Sequence, residues 1–445
     1  MKHTREAQFL FVAFLGLTGW DQAQPTFQLK DGDRVVFYGD STTEIHFYDN
    51  IAEPRVYSTY VETYAVTRFP GWRLQFRNSA WGGDRAAGGR GGPIDVRLQR
   101  DVIAYKPTVM TLMLGMNDAW GLPYDAKLFN TFATGYEHIA DFVKGAVPGI
   151  RLTVIQPSPY DDITRPPGFE GGYNGVLVRY GAFVKELGQR DGLTVADLNA
   201  PLIAALEKAK AADSAVAQKI IPDRVHPGPA GHLLMAEALL KAWNAPAIVA
   251  AVEIAAADKR VVRVENTSVT RLESTHGLSW TELDKALPFP IDMEDPAVVL
   301  AVRCSDLVQA LNLQLLKVTG LTASRYVLKI DGEQIAVFGR EELRESVNLA
   351  LFNTPMKKQA ITVHGLILKR IDVQFGSWRQ VQVPLQDDSL PQKQAALEAL
   401  DKLEQELLNQ QYAAAQPKSR HYELVPEEET APEMKPRKSV ADFLP

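Results

Sequence analysis

The sequence predicts an α/β protein: a parallel sheet with helices on both faces, followed by a smaller mixed or β-rich unit. Three observations predict it. Between Arg34 and about Ala250, short apolar β-rich runs alternate with segments long enough for crossover helices, the pattern of a doubly covered parallel sheet. The runs are bounded by Gly, Asp, Asn or Pro, as buried parallel strands are. Beyond residue 250 the alternation stops and hairpin signals replace it.

In chain order, the start Met1-Lys2-His3-Thr4-Arg5 and the apolar run Phe9–Leu17 resemble an export signal, with residues 1–24 as its extent and cleavage near Ala23 to Pro25. The run is shorter than the roughly 20 apolar residues of a membrane span, so a secreted or periplasmic protein without stable membrane insertion is expected. The strands follow at Arg34–Tyr38, Leu74–Arg77, Val109–Leu114, Leu152–Ile155 and Thr194–Ala196, and a helix at Ala230–Trp243 closes a unit of residues 25–250. In residues 251–384, Val252–Ile254 and Val261–Val264 read as strands. Tyr326–Ile330 and Gln334–Phe338 read as a hairpin around Asp331-Gly332-Glu333, and Trp280–Ala286 and Asp306–Leu316 as helices. Residues 385–445 start as a helix carrying Leu397, Leu400, Leu403 and Leu407, which is expected to dock on its own protein. After Pro417 they turn polar and acidic, a composition expected to be disordered.

Composition removes several function classes. The 445 residues carry a net charge of −6, against the basic surplus of a nucleic-acid binder. The single cysteine, Cys304, excludes an intrachain disulfide or a Cys-rich zinc cluster. It reads as a buried apolar residue.

In a parallel α/β sheet, ligands sit beyond the carboxyl ends of the strands. The first strand runs into Gly39-Asp40-Ser41, the second into Trp81-Gly82-Gly83-Asp84, and the third into Gly115-Met116-Asn117-Asp118. Asp223-Arg224-Val225-His226 precedes the last helix. A serine hydroxyl needs a base to become a nucleophile. His226 is the candidate base, because imidazole titrates near neutrality. Asp223, three residues earlier, is spaced to accept the other ring N–H. The Ser41 and Gly83 backbone N–H groups and the Asn117 amide are candidate oxyanion donors. His138, His232 and His364 read as satisfied surface histidines. Gly-x-Ser-x-Gly, the phosphate-binding Gly-x-x-x-x-Gly-Lys-Ser/Thr and His-Glu-x-x-His are absent, and Gly88–Gly92 reads as a loop near the site.

These blocks resemble the SGNH (GDSL-type) hydrolase superfamily, named for its Ser, Gly, Asn and His, here Ser41, Gly83, Asn117 and His226. Gly83 is preferred to Gly82 because Asp84 matches the family's Gly-Asp continuation. The resemblance spans roughly residues 31–250. It implies a flavodoxin-like three-layer α/β/α sandwich, Ser/His/Asp catalysis, ester hydrolysis, and no metal or organic cofactor. Asp40, Trp81, Arg85, Asp118, Trp120 and Tyr124 are candidate substrate contacts. Arg85 and Arg90 suit an acidic or hydroxylated substrate, or pair with Asp84 and Asp95. Aromatic flanks and expected export favour a small-molecule or glycan ester, with short-chain, acetyl-type acyl groups. A lipid or lysophospholipid acylhydrolase, a glycan O-acyltransferase and a non-catalytic glycan-binding protein stay open, and the sequence leaves the oligomeric state undetermined.

Overall fold

The computed structural model describes residues 26–45, 56–274 and 277–427. The five apolar runs form one sheet: β1 (Arg34–Gly39), β2 (Gln75–Asn78), β3 (Val109–Met113), β4 (Arg151–Ile155) and β5 (Thr194–Ala196). All of its pairings are parallel and its order is β2-β1-β3-β4-β5, the flavodoxin-like arrangement. Successive side chains point to opposite faces: Val35 and Phe37 enter one core, Val36 and Tyr38 the other. The intervening helices are α1 (Tyr57–Arg68), the short α2 (Ile94–Arg97), α3 (Ala126–Ala146), α4 (Gly172–Arg190), α5 (Asn199–Ala212), the short α6 (Ser214–Ala217) and α7 (Pro229–Ala242). Helices α1, α5 and α7 share the first core; α3 and α4 share the second. Helix α3 shows the logic: the Asp125 carboxylate caps the Lys127 and Leu128 N–H groups at 2.8 and 2.9 Å. Phe132, Tyr136, Ile139, Ala140 and Val143 then form its buried stripe.

The second half supplies β6 (Ile248–Ala255), β7 (Arg260–Glu265), β8 (Thr267–Glu273), β9 (Leu278–Asp284), α8 (Pro296–Cys304), α9 (Leu307–Leu311), β10 (Leu313–Thr319), β11 (Arg325–Ile330), β12 (Glu333–Gly339), α10 (Arg340–Glu345), β13 (Val347–Asn348), α11 (Pro355–Phe375), α12 (Pro391–Ala415) and β14 (Arg420–Pro426). They build a mixed sheet, β13-β10-β6-β7, and an antiparallel sheet, β12-β11-β14-β9-β8. The β11–β12 hairpin turns at Asp331 and Gly332, with φ of 52° and 79°, as a two-residue hairpin turn with matching twist requires. The core on the α1–α7 face continues without a break into these sheets. Every residue of α1 is buried as a result. Within this contact the Arg370 guanidinium of α11 meets both oxygens of the buried Glu62 carboxylate at 2.7 Å.

Several expectations are corrected. Residues 280–286 are not a helix, since 278–284 is strand β9. Leu278, Trp280, Glu282 and Asp284 alternate inward while Leu283 faces solvent, so two buried acids hide the two-residue period. Residues 306–316 split into α9 and β10 at the buried Asn312, whose side chain accepts from Phe289 N–H and donates to Phe289 C=O at 2.8 and 2.9 Å. Residues 420–426 of the polar tail form β14, paired on both sides, with Tyr422 and Leu424 buried. Residues 428–445 and 1–25 lie outside the described residues, so the export-signal reading falls there too. Helix α12 docks through Leu408, Gln411, Tyr412 and Ala415 rather than through the whole leucine stripe, for Leu403 is exposed. His232 is buried, not on the surface, and Cys304 is buried. Among the described residues no helix is long and apolar enough to cross a membrane.

Candidate active site

Strand order reverses between β1 and β3, and the loops after these two strands carry Ser41 and Asn117. That switch point is where such sheets open a crevice. After β1, the Asp40 carboxylate accepts the Thr42 N–H at 3.0 Å and the Thr42 hydroxyl at 2.8 Å, while its carbonyl accepts the N–H groups of Thr43 and Glu44. This tight turn presents Ser41, whose Oγ lies 2.9 Å from His226 Nε2. His226 Nδ1 lies 2.7 Å from Asp223 Oδ2. The other oxygen of Asp223 accepts the N–H groups of Val225 and His226 at 3.0 and 2.7 Å. Arg224, between acid and imidazole, adopts φ of 75°. The three-residue spacing therefore works as a turn that locks the ring to its carboxylate. A hydrogen-bonded series runs from carboxylate through imidazole to hydroxyl.

The expected donors converge on the same edge. The Ser41 and Gly83 N–H groups donate to no acceptor among the described residues. The Gly82 N–H, by contrast, is committed to Glu44 Oε2 at 2.7 Å. The choice between the two glycines thus has a physical basis. Gly83 has φ of 79°, and a Cβ there would sit 3.1 Å from Arg90 Cδ, so the position favours glycine twice over. Asn117 Nδ2 donates to the Asp84 carbonyl at 3.0 Å, which fixes the amide and leaves its second N–H for another acceptor.

Beneath the loop, Asp84 pairs with the buried Arg97, which also binds Asp101 and the Ser79 carbonyl. Arg85 and Arg90 therefore do not partner Asp84, and Asp95 pairs with His138 at 2.7 Å. Asp40 and Asp118 are buried rather than presented to a substrate. Asp40 shapes the serine turn, and Asp118 Oδ1 accepts the Ala86 N–H at 2.9 Å. Burial pushes the Asp40 carboxyl up to about 6 and the Asp118 carboxyl up to about 7. Trp81 is also occupied: Arg379 lies 3.5 Å over its ring centre and Trp378 meets it edge-on. On the rim, Trp120 and Tyr124 are exposed. Arg85 covers one face of Trp120 at 4.4 Å, and Arg179 lies 5.1 Å from the Tyr124 ring centre. Sequence reasoning missed Glu44, Arg97, Trp378 and Arg379. The i,i+4 pair Arg97–Asp101 was a usable signal; Trp378 and Arg379 had none, because they arrive from the far end of the chain. Among the described residues no group of three or more His, Cys, Asp or Glu side chains is gathered as a metal site.

Fold and site define a carboxylic ester hydrolase on a parallel α/β sheet. Residues 37–234 match the GDSL-like lipase/acylhydrolase family, in line with the resemblance of the Ser41, Gly83, Asn117 and His226 blocks to the SGNH (GDSL-type) hydrolases. The chain is 25% identical over 230 residues to an acetylxylan esterase of Geobacillus stearothermophilus, covering 48% of this chain and 95% of that protein. Its fold is similar to that of a gut microbial diltiazem-metabolizing enzyme, with a TM-score of 0.78 and 24% identity, over 91% of this chain and 99% of that one.

Proposed function

We propose that the chain hydrolyses short-acyl esters, acetyl esters of carbohydrates foremost, through Ser41, His226 and Asp223. The observation that carries the reading is the unbroken series Asp223–His226–Ser41, with contacts of 2.7 and 2.9 Å. Ser41 Oγ attacks the ester carbonyl carbon as its proton passes to His226 Nε2. The carbonyl oxygen becomes an oxyanion held by the Ser41 and Gly83 N–H groups and the Asn117 amide, donors that need little reorganisation. The intermediate collapses to a Ser41 acyl-ester, and the leaving alcohol takes the proton from His226. Water, deprotonated by His226, attacks the acyl carbon and releases the carboxylic acid and free Ser41. Asp223 holds the imidazole in the tautomer with Nδ1 protonated and stabilises its charged form.

Two observations support a sugar ester. Trp120 and Tyr124 are exposed aromatic rings on the loop that follows Asn117, and aromatic faces suit the apolar face of a sugar ring. The relative of 25% identity is an acetylxylan esterase. The basic and apolar start of the chain supports an exported enzyme. Ser41→Ala is expected to abolish hydrolysis of a small aryl acetate while the protein stays folded. Retention of more than about a hundredth of the activity refutes the nucleophile, given the cost of losing a triad member. Cleavage of lysophospholipids, with acetylated xylan, pectin and chitin fragments untouched, refutes the carbohydrate assignment.

A further inference from the structure

The second half of the chain reaches the loop that carries Gly83. A π-helical segment, Gly376–Gln382, continues α11 and lies outside the residues matched by the family model. Two neighbours on it grip the loop that carries Gly83. Arg379 Nη1 meets Glu44 Oε1 at 2.8 Å, and the other oxygen of Glu44 accepts the Gly82 N–H at 2.7 Å. Arg379 also donates to the Ala80 carbonyl at 3.4 Å and lies 3.5 Å over Trp81. The Trp378 indole N–H donates to Asp101 at 2.8 Å. Asp101 holds Arg97 at 3.0 Å, and Arg97 holds Asp84, whose carbonyl accepts from Asn117. Residues 80–84 are thus clamped at both ends. Glu44 is three residues from Ser41, so one carboxylate ties the serine turn to the glycine loop.

We infer that Arg379 is a positioning residue for the reaction proposed above, holding through Glu44 the Gly82–Gly83 peptide that aims one oxyanion donor. The role rests on the serine-hydrolase reading. Glu44 is 6% exposed, and a buried carboxylate that loses its cation must take a proton or move toward water. Either change loosens the Gly82 contact. A displacement of about 1 Å at a catalytic group costs roughly a hundredfold in rate, and a whole oxyanion donor about a hundred- to a thousandfold.

The test compares Arg379→Ala, Arg379→Lys and Glu44→Gln with the parent enzyme on p-nitrophenyl acetate. Rates are normalised to active sites titrated with a fluorophosphonate, and melting temperatures are measured alongside. For Arg379→Ala, kcat per titrated site is expected to fall about ten- to a hundredfold, with KM changed less than about threefold. Lysine, which retains the charge, is expected to restore part of the loss. Glu44→Gln, which retains an acceptor for the Gly82 N–H, is expected to lose less than Arg379→Ala. A kcat per titrated site within about twofold of the parent in Arg379→Ala overturns the role. So does a loss that vanishes once rates are referred to folded protein, because the contact is then packing alone. Should Arg379→Ala not fold, Arg379→Met, which keeps much of the side-chain bulk and removes the charge, decides by the same criterion. Failure of the parent reading looks different: the unmodified protein hydrolyses no ester and Ser41 takes no label. If the parent is active, Ser41→Ala is dead and the Arg379 and Glu44 variants match the parent, the positioning role alone falls.

Discussion

Asp118→Asn is expected to flatten one part of the pH dependence of stability. Asp118 is 6% exposed, its Oδ1 accepts the Ala86 N–H, and its Oδ2 has no hydrogen-bond partner among the described residues. Burial foremost, aided by the Asp40 and Asp84 carboxylates, lifts its carboxyl from 3.8 to about 7, against the opposing pull of the Ala86 N–H and Arg85. The folded state therefore keeps a proton that the unfolded chain releases near pH 4. Between those two values the folded protein binds more protons than the unfolded one, so stability falls as pH rises and levels off above about 7. Three pH units at about 1.36 kcal/mol each correspond to about 4 kcal/mol, of which about 3 kcal/mol lies between pH 4.5 and 8. Asparagine keeps an oxygen for the Ala86 N–H and cannot ionise. Urea unfolding of both proteins, followed by tryptophan fluorescence at pH 4.5 and 8, isolates this group, because contributions shared by both proteins cancel in the double difference. The variant should gain about 3 kcal/mol relative to the parent on going to pH 8. A double difference below about 0.5 kcal/mol, or of opposite sign, refutes the reasoning.

Three further outcomes are expected. Arg370→Met strips the buried Glu62 of its two-point partner and should cost about 3–5 kcal/mol in urea unfolding at neutral pH, most of it recovered in the double variant with Glu62→Leu; a loss below about 1 kcal/mol contradicts the buried pair. Leu424→Ala opens a cavity at a fully buried position of β14 and should cost about 2–5 kcal/mol, whereas a value near zero means that β14 does not close its sheet. Trp120→Ala should raise KM for an acetylated xylo-oligosaccharide about tenfold, equivalent to about 1.4 kcal/mol, while leaving p-nitrophenyl acetate kinetics unchanged; equal loss on both substrates contradicts a sugar-facing ring.

What was legible in the sequence follows from where each residue obtains its environment. Strands β1, β3 and β4 announced themselves because both of their faces are buried, so their apolar runs are nearly continuous, while the shorter β2 and β5 were read from the spacing around them. Ser41, Asp223 and His226 were legible because local turns deliver them, and turn chemistry is written in neighbouring residues. Strand β9 was misread because its inward side carries Glu282 and Asp284, acids satisfied by the Trp280 indole N–H, which donates to Glu282 at 2.8 Å, and by the distant Gln314, which donates to Asp284 at 2.9 Å. Strand β14 was missed because two inward side chains, Tyr422 and Leu424, were judged against a polar tail. Its stability comes instead from backbone pairing on both sides and from Tyr422 stacking on Trp280 at 5.1 Å. Trp378 and Arg379 were invisible for a related reason. Their partners Asp101, Ala80 and Glu44 lie hundreds of residues earlier, and no local period encodes a contact of that range.

The placement of β14 also sets an order of events during synthesis. The strand that fills the centre of its sheet, between β9 and β11, is translated after both of them. Until residues 420–426 leave the ribosome, β9 and β11 each present an unpaired edge, and an open edge recruits strands from other chains. Long-range pairing of this kind is intrinsically slow. The nascent protein thus carries a complete Ser41–His226–Asp223 segment well before its second half can close. Premature termination after β12 and before residue 420 leaves an open antiparallel sheet packed on the catalytic half, a species marked for aggregation or proteolysis rather than a smaller enzyme.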